Sequence, residues 1–148
     1  MICTFFGHRD APLEVKPFLR EILLDLIEHQ GVKRFYVGNQ GNFDAMTRSL
    51  LRELETARGI QYDVVLAYPP RNNDPFYEAY YTIWPEGMET VPRRFAIEYR
   101  NKWMIDHSDI VVTYVARSFG GAAKWKAYAI KKKKTVVEIS EKEQRGYY

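Results

Sequence analysis

The sequence predicts one α/β domain, a Rossmann-like three-layer sandwich in which a mostly parallel sheet of about five strands carries helices on both faces. Short apolar runs alternate along the chain with longer segments whose apolar residues recur at helical spacing. Strands that alternate with helices in this way pair in parallel through right-handed crossovers. The 148 residues suit a single domain, so we expect residues 1–148 to form one unit.

The first half of the chain supplies three predicted strands and two predicted helices. The strands are the apolar runs at residues 2–6, 35–37 and 62–68. The helices are the amphipathic segments at residues 12–30 and 43–57, each followed closely by a glycine that suits a helix C-terminus.

Residues 69–90 interrupt this alternation with prolines, asparagines and aromatic residues that show no clear period. A connection this long inside a compact domain is typically functional or partly disordered. The alternation then resumes with a helix over 91–106, a strand over 109–114, a helix over 122–130 and a strand over 135–139.

The composition excludes several functional classes. A net charge of +3 is too small to indicate nucleic acid as the main partner, although it favours anionic ligands. The single cysteine, Cys3, rules out an intrachain disulfide, and His29 and His107 lack partners at metal-ligand spacing. We therefore expect neither a metal nor a resident cofactor.

Hydropathy gives no reason to expect a membrane protein. No apolar run approaches the roughly 20 residues of a membrane-spanning helix. The first ten residues, MICTFFGHRD, lack the basic and long apolar regions of a signal peptide. We accordingly expect a cytoplasmic location and no contact with membranes.

The candidate ligand-binding residues follow the predicted strands, because parallel sheets bind ligands outside the carboxyl ends of their strands. Glycine turns that open helices, as at residues 38–42 and 120–121, also expose backbone N–H groups to anions. The candidates at these strand ends are Gly7, His8, Arg9, Gly38, Asn39, Gln40, Gly41, Tyr68, Ser118, Phe119, Gly120 and Gly121. Two simpler interpretations stay open: the glycines also suit ordinary turns, and Arg9 also suits a structural pair with Asp10 or with a helix end.

The segment RNKWMIDHSDIVVTYVARSFGGAAKW, residues 100–125, resembles the SLOG superfamily. This superfamily comprises Rossmann-like domains related to the Lonely Guy phosphoribohydrolases and to lysine decarboxylase-like proteins. Its members carry an Arg-Lys pair, then a Ser-Asp pair before an apolar strand, and then P-G-G-x-G-T-x-x-E. Arg100 matches the arginine, and Gly120 and Gly121 match two glycines. CTFFGHRD and VGNQGNFDAM resemble an uncharacterised bacterial and phage branch, so the resemblance covers nearly the whole chain.

The resemblance implies a nucleotide-type ligand, adds Arg100 to the ligand-binding candidates, and implies a homodimer. The position of the family's catalytic glutamate is Ala127, which cannot transfer a proton. We therefore expect a sensor or sequestering module rather than an enzyme. An alternative is a nucleotide N-glycosidase with a rearranged site that uses Arg100 and Glu98.

A second alternative is a protein-interaction module whose aromatic segment, residues 69–90, forms the contact surface. Under the ligand-binding hypothesis, aromatic side chains from this part of the chain would instead stack on the base or cover the site. The candidates for stacking are Tyr68, Tyr77, Tyr80 and Trp84.

Overall fold

A computed structural model describes residues 1–70 and 81–140 of the chain. These residues form an α/β fold with one sheet whose strands all pair in parallel. The strands are β1 (Ile2–Gly7), β2 (Arg34–Val37), β3 (Gln61–Val65), β4 (Thr82–Ile83), β5 (Ile110–Tyr114) and β6 (Thr135–Glu138). The helices are α1 (Lys16–Glu28), α2 (Gly41–Arg58), α3 (Ala96–Asp106) and α4 (Gly121–Lys131). The predicted Rossmann-like sandwich is confirmed.

The sheet has the strand order β4-β3-β2-β1-β5-β6. The first four strands, β1 to β4, are added in one direction, and the chain then crosses to the other side of β1 to add β5 and β6. In open parallel sheets the ends of the strands diverge at such a crossover point and leave a crevice. Here the crossover point lies between β1 and β5.

Two helices cover each face of the sheet. Phe5 on β1 and Phe35 on β2 stack with ring centroids 6.0 Å apart in the core beneath α1 and α2. Phe6, the next residue of β1, points to the opposite face and packs with Trp125 of α4 and Met104 of α3. The two faces are therefore both apolar, as the alternation of side chains along a buried strand requires.

The predicted connection at residues 69–90 contains an additional strand. Thr82 and Ile83 pair with Val64 and Val65, so β4 extends the sheet by one strand at its edge. The predicted third strand ends at Val65 rather than at residue 68, because β2 already ends at Val37, the partner of Val64. The predicted candidates Tyr77 and Tyr80 lie outside the described residues.

Two helix boundaries differ from the sequence prediction because short 3-10 turns precede the α-helices. Leu13–Val15 forms such a turn before α1, with Pro17 in the first turn of the α-helix. Arg93–Phe95 forms another before α3, so the α-helix begins at Ala96 and not near residue 91. Within the described part of the chain, no helix has both the length and the apolar character needed to cross a membrane.

Candidate functional site

A cleft of about 300 Å³ opens at the carboxyl ends of β1 and β5, at the crossover point of the sheet. We call it the first cleft. Its volume lies at the lower end of the range of small-molecule sites, about 300–1,000 Å³. Its lining consists of Phe5, Phe6, Gly7, His8, Arg9, Gln40, Asp44, Ile97, Arg100, Asn101, Met104, Arg117, Gly120, Gly121, Ala122 and Trp125.

The N-terminus of α4 borders the first cleft, because Gly120, Gly121 and Ala122 line it. Gly120 precedes the helix with φ 93° and ψ −178°, a backbone conformation that is essentially restricted to glycine. A Cβ added at Gly120 or at Gly121 would meet no atom within 4 Å, and the N-cap residue makes no side-chain hydrogen bond. The first N–H groups of α4, which carry the positive end of the helix dipole, therefore lie beside the first cleft without a side-chain cap from the N-cap residue.

The N-terminus of α2 is different, because groups of the protein itself bind its N–H donors. The N–H of Gln40 donates to Asp44 Oδ2 at 2.9 Å. The N–H of Asn42 donates to the carbonyl oxygen of Arg9 at 2.8 Å. An anion at this turn would therefore compete with a carboxylate that is already in place, so α4 offers the more open of the two predicted anion sites.

Internal packing explains three of the predicted glycines. A Cβ at Gly7 would overlap the ring of Phe43. A Cβ at Gly41, where φ is 85°, would lie 2.7 Å from the Cα of Arg9. A Cβ at Gly38 would lie 2.6 Å from Asp44 Oδ2. These positions need glycine for close approach within the chain, whereas Gly120 and Gly121 face open space.

Arg100 is a buried cation in the wall of the first cleft, with only 2% of its surface exposed. Its Nε donates to Asn101 Oδ1 at 2.8 Å, and its Nη1 donates to the carbonyl oxygen of Val65 at 2.9 Å. Nη1 also lies 3.4 Å from Asn39 Oδ1. Burial lowers the pKa of Arg100, while the charge of Asp44 opposes that shift. A guanidinium nevertheless stays protonated in proteins.

The second terminal nitrogen of Arg100, Nη2, has no acceptor among the described residues. The guanidinium is therefore fixed in position by its other nitrogens while one pair of N–H donors remains available. Such a cation in a cleft is suited to an anionic group, because guanidinium and phosphate match in geometry.

Asp44 is a carboxylate in the lining of the first cleft that sequence reasoning missed. Burial raises its pKa, although the N–H of Gln40 and the charges of Arg100 and Arg48 act in the opposite direction. The available signal was an acidic residue in the first turn of the helix that follows the glycine loop. That pattern ordinarily indicates a helix cap, and here the same side chain also reaches the cleft.

Two further arginines line the first cleft from the turns after β1 and β5. Arg9 Nη2 donates to Gln40 Oε1 at 2.8 Å. Arg117 forms an ion pair with Asp10, with Nη2 2.9 Å from Oδ1. The predicted alternative for Arg9, a pair with Asp10, is thus not the arrangement found, because Arg117 takes the carboxylate of Asp10. Arg117 is, after Asp44, the second charged residue of this lining that the sequence did not indicate.

His8 connects the two turns that border the crossover point. It is 4% exposed, and its Nε2 accepts a hydrogen bond of 3.0 Å from the N–H of Ala116. Its ring also forms a T-shaped contact with the Tyr114 ring, with centroids 5.7 Å apart. Burial, and then the charge of Arg117, lower the pKa of His8 below its ordinary value. The imidazole is therefore a neutral, structural acceptor at neutral pH.

Glu138, at the end of β6, holds the chain that leads into α4. Its side chain is 5% exposed and accepts hydrogen bonds from Thr113 Oγ1 at 2.7 Å and from the N–H of Val115 at 3.1 Å. Burial alone would raise the pKa of Glu138, but donors from Ser140, Thr113 and the backbone hold it below its usual range. This ionised carboxylate fixes the turn from which Arg117 and Gly120 extend.

Some predicted residues lie outside the first cleft. Ser118 and Phe119 are absent from its lining, and Phe119 is 69% exposed. Glu98 is also absent, and its carboxylate pairs with Lys124 Nζ of α4 at 3.1 Å. The predicted residues that the first cleft brings together are Gly7, His8, Arg9, Gln40, Arg100, Gly120 and Gly121, whereas Gly38, Asn39 and Gly41 pack against residues that line it.

Tyr68 lies in a second cleft of about 260 Å³. The guanidinium carbon of Arg93 lies 4.5 Å from the centroid of the Tyr68 ring. The lining of the second cleft is Ala67, Tyr68, Pro69, Trp84, Met88, Glu89, Val91, Arg93 and Ala96. Two of the predicted stacking residues, Tyr68 and Trp84, therefore share one cavity.

The described residues contain no group of three or more His, Cys, Asp or Glu side chains that is arranged to hold a metal ion. Comparison of the chain with protein-family models finds no match, and comparison with curated proteins finds none either.

Proposed function

We propose that this chain binds a nucleotide or nucleotide-derived ligand in the first cleft, as a sensor or sequestering module, with the ligand phosphate at the N-terminus of α4. The observation that carries the proposal is the coincidence, in one cleft, of an open helix N-terminus at Gly120–Gly121 and a buried arginine, Arg100. Backbone N–H groups and a guanidinium are the two donor types that most often bind phosphate in proteins.

The charge balance of the lining supports an anionic ligand. Three arginines, Arg9, Arg100 and Arg117, face the first cleft together with one carboxylate, Asp44. Their charges act in a partly enclosed space where electrostatic attraction is stronger than in bulk water. The crossover point of a parallel sheet is also the position at which such folds bind nucleotides.

The residues of the first cleft favour binding of a ligand over its hydrolysis. They lack the proton-transfer group that the enzymes resembled by this sequence use. Ala127 is exposed on α4 and carries no group for proton transfer. Glu98, the predicted substitute, is paired with Lys124 and does not line the first cleft. The residues in the lining bind and orient an anion more readily than they transfer protons.

Mass spectrometry under native conditions tests the proposal with a panel of mononucleotides, cyclic nucleotides and dinucleotides. We expect the wild-type protein to retain at least one compound unaltered, and Gly120→Ala to weaken its retention by about tenfold or more. Gly59→Ala is the matched control, because Gly59 also has a positive φ, 67°, and no atom within 4 Å of an added Cβ. Equal retention by Gly120→Ala and the wild type would contradict the proposal.

A second candidate function, cleavage of an N-glycosidic bond, is favoured by one observation only. Asp44 is the carboxylate of the first cleft, it is half-buried, and burial raises its pKa. In such a reaction water adds to the anomeric carbon and the bond from that carbon to the base nitrogen breaks. Asp44 would accept a proton from the water and donate one to the leaving base. Product analysis decides: release of free base by the wild type, and its loss in Asp44→Asn with ligand binding retained, would establish the activity.

Homodimer formation and a cytoplasmic location belong to the same proposal, as implications of the resemblance. Light scattering over a range of protein concentrations tests the dimer. A dimer whose dissociation on dilution abolishes ligand retention would place the ligand site next to the subunit contact. A monomer that retains ligand fully would remove the dimer from the proposal.

A further inference from the structure

The second cleft lies at the same edge of the sheet as the first. Tyr68 follows β3 and Trp84 follows β4, so both aromatic rings stand at the carboxyl ends of parallel strands. The first turn of α3 lies between the two clefts, because Ala96 lines the second cleft and Ile97 lines the first.

The lining of the second cleft is aromatic and apolar, with charge only at its rim. Ala67, Met88 and Ala96 are each 3% exposed and form its apolar base. Trp84 is 37% exposed, which leaves a large flat ring surface in contact with solvent. This composition is suited to a planar aromatic group that removes the exposed ring surface from water.

Two charged residues give this cleft hydrogen-bonding capacity. Arg93 lies over the Tyr68 ring and supplies donors, while Glu89 supplies acceptors. A heteroaromatic ring has edges that both accept and donate, whereas a phosphate would be repelled by the carboxylate of Glu89. The chemistry therefore favours a base over a second phosphate.

The size of the second cleft indicates part of a ligand rather than a whole one. Its volume of about 260 Å³ is below the range of about 300–1,000 Å³ for complete small-molecule sites. The adjacent first cleft supplies the remaining volume and the positive charge. One ligand that spans both clefts accounts for the two neighbouring cavities of different chemistry.

We propose that the second cleft binds the nucleobase of the ligand, stacked on Trp84 and Tyr68, while the phosphate of the same ligand lies in the first cleft. This inference rests on the proposed function and extends it, because it assigns a base-binding surface to residues outside the first cleft. Stacking of bases on aromatic side chains is tolerant of base identity, so the rim residues Glu89 and Arg93 would select among bases.

Calorimetry with ribose 5-phosphate and with AMP, GMP, CMP and UMP tests the assignment. We expect at least one nucleotide to bind about tenfold more tightly than ribose 5-phosphate, which lacks a base. Trp84→Leu is expected to remove this preference and to change the affinity for ribose 5-phosphate less than about twofold. Trp84→Phe, which retains a ring, should keep most of the preference. A nucleotide preference that survives in Trp84→Leu would overturn the inference.

Tryptophan fluorescence separates failure of this inference from failure of the proposed function. Nucleosides without phosphate are titrated into the wild type, Trp84→Phe and Trp103→Phe, since Trp103 lines neither cleft. Quenching in the wild type and in Trp103→Phe, but not in Trp84→Phe, supports the base site even if no phosphate compound binds. Absence of quenching by all four nucleosides overturns the base site, even if ribose 5-phosphate binds in the first cleft.

Discussion

Asp10 and Arg117 form a bidentate ion pair that joins the turn after β1 to the turn after β5. Arg117 Nη2 lies 2.9 Å from Asp10 Oδ1, and Nη1 lies 3.2 Å from Oδ2. Arg117 also lines the first cleft. A phosphate could bind its guanidinium in the same bidentate way, through two of its own oxygens. Asp10 therefore takes up donors that a ligand phosphate in the first cleft would otherwise receive.

Asp10→Asn should strengthen the binding of phosphate compounds, because it removes the competing negative charge from Arg117. We expect the affinity for ribose 5-phosphate to rise about two- to fivefold at moderate salt, and the gain to shrink as salt screens the charges. Isothermal titration calorimetry measures this. Asp25→Asn is the control, since Asp25 lies on α1, pairs with His29 just after that helix, and lines neither cleft. Unchanged or weaker binding by Asp10→Asn would show that Asp10 does not compete with the ligand.

Gly38→Ala should destabilise the fold. A Cβ at this position would lie 2.6 Å from Asp44 Oδ2 and 3.1 Å from Arg100 Nη1. Neither group moves away easily, because Asp44 holds the N–H of Gln40 and Arg100 holds the carbonyl of Val65. We expect the free energy of unfolding to fall by about 1–3 kcal/mol.

Urea denaturation of Gly38→Ala and Gly121→Ala side by side checks this prediction. Gly121 has no positive φ and no atom within 4 Å of an added Cβ, so its substitution should change stability by less than about 0.5 kcal/mol. If both variants unfolded at the same urea concentration, Asp44 and Arg100 would not be held against Gly38 in solution.

His8 should make the fold less stable at mildly acidic pH. Its pKa in the folded protein lies below its ordinary value of about 6.5, because burial and Arg117 disfavour the charged ring. The unfolded chain therefore binds the proton more readily, and stability falls as the pH drops from about 6.5 towards the folded pKa. Protonation also removes the acceptor for the N–H of Ala116.

Unfolding measured between pH 7.5 and pH 5 tests this effect in the wild type, His8→Gln and His29→Gln. The wild type and His29→Gln should lose more stability over this range than His8→Gln, since His29 is exposed on the surface. Parallel pH profiles for all three proteins would mean that His8 does not titrate as its burial requires.

The fold was largely predictable because its main elements carry strong periodic patterns. The buried strand Ile110–Tyr114 and the amphipathic helix Gly41–Arg58 both coincide closely with the predicted segments. The strand Thr82–Ile83 was missed because two residues cannot show a period of two, and its place in the sheet is fixed by pairing with Val64 and Val65. The start of α3 was missed because the 3-10 turn at Arg93–Phe95 continues the helical spacing.

The candidate site was predictable only in part, because tertiary packing decides which glycines face a ligand. Gly7 and Gly120 both line the first cleft, yet a Cβ at Gly7 would overlap the ring of Phe43 from another element, whereas a Cβ at Gly120 would meet no atom within 4 Å. Asp44 and Arg117 reach the cleft through side-chain directions that no local pattern reveals. Tyr68 lies at the carboxyl ends of the strands, as predicted, but it lines the second cleft rather than the first.

Amide NMR during a titration with ribose 5-phosphate shows whether a ligand phosphate lies on the N–H groups at the start of α4, as we propose. We expect the largest saturable shifts at Gly121 and Ala122, and we expect Gly120→Ala to weaken the response while Gly59→Ala does not. Shifts centred on Gly41 and Asn42, or no saturable shift at all, would contradict it.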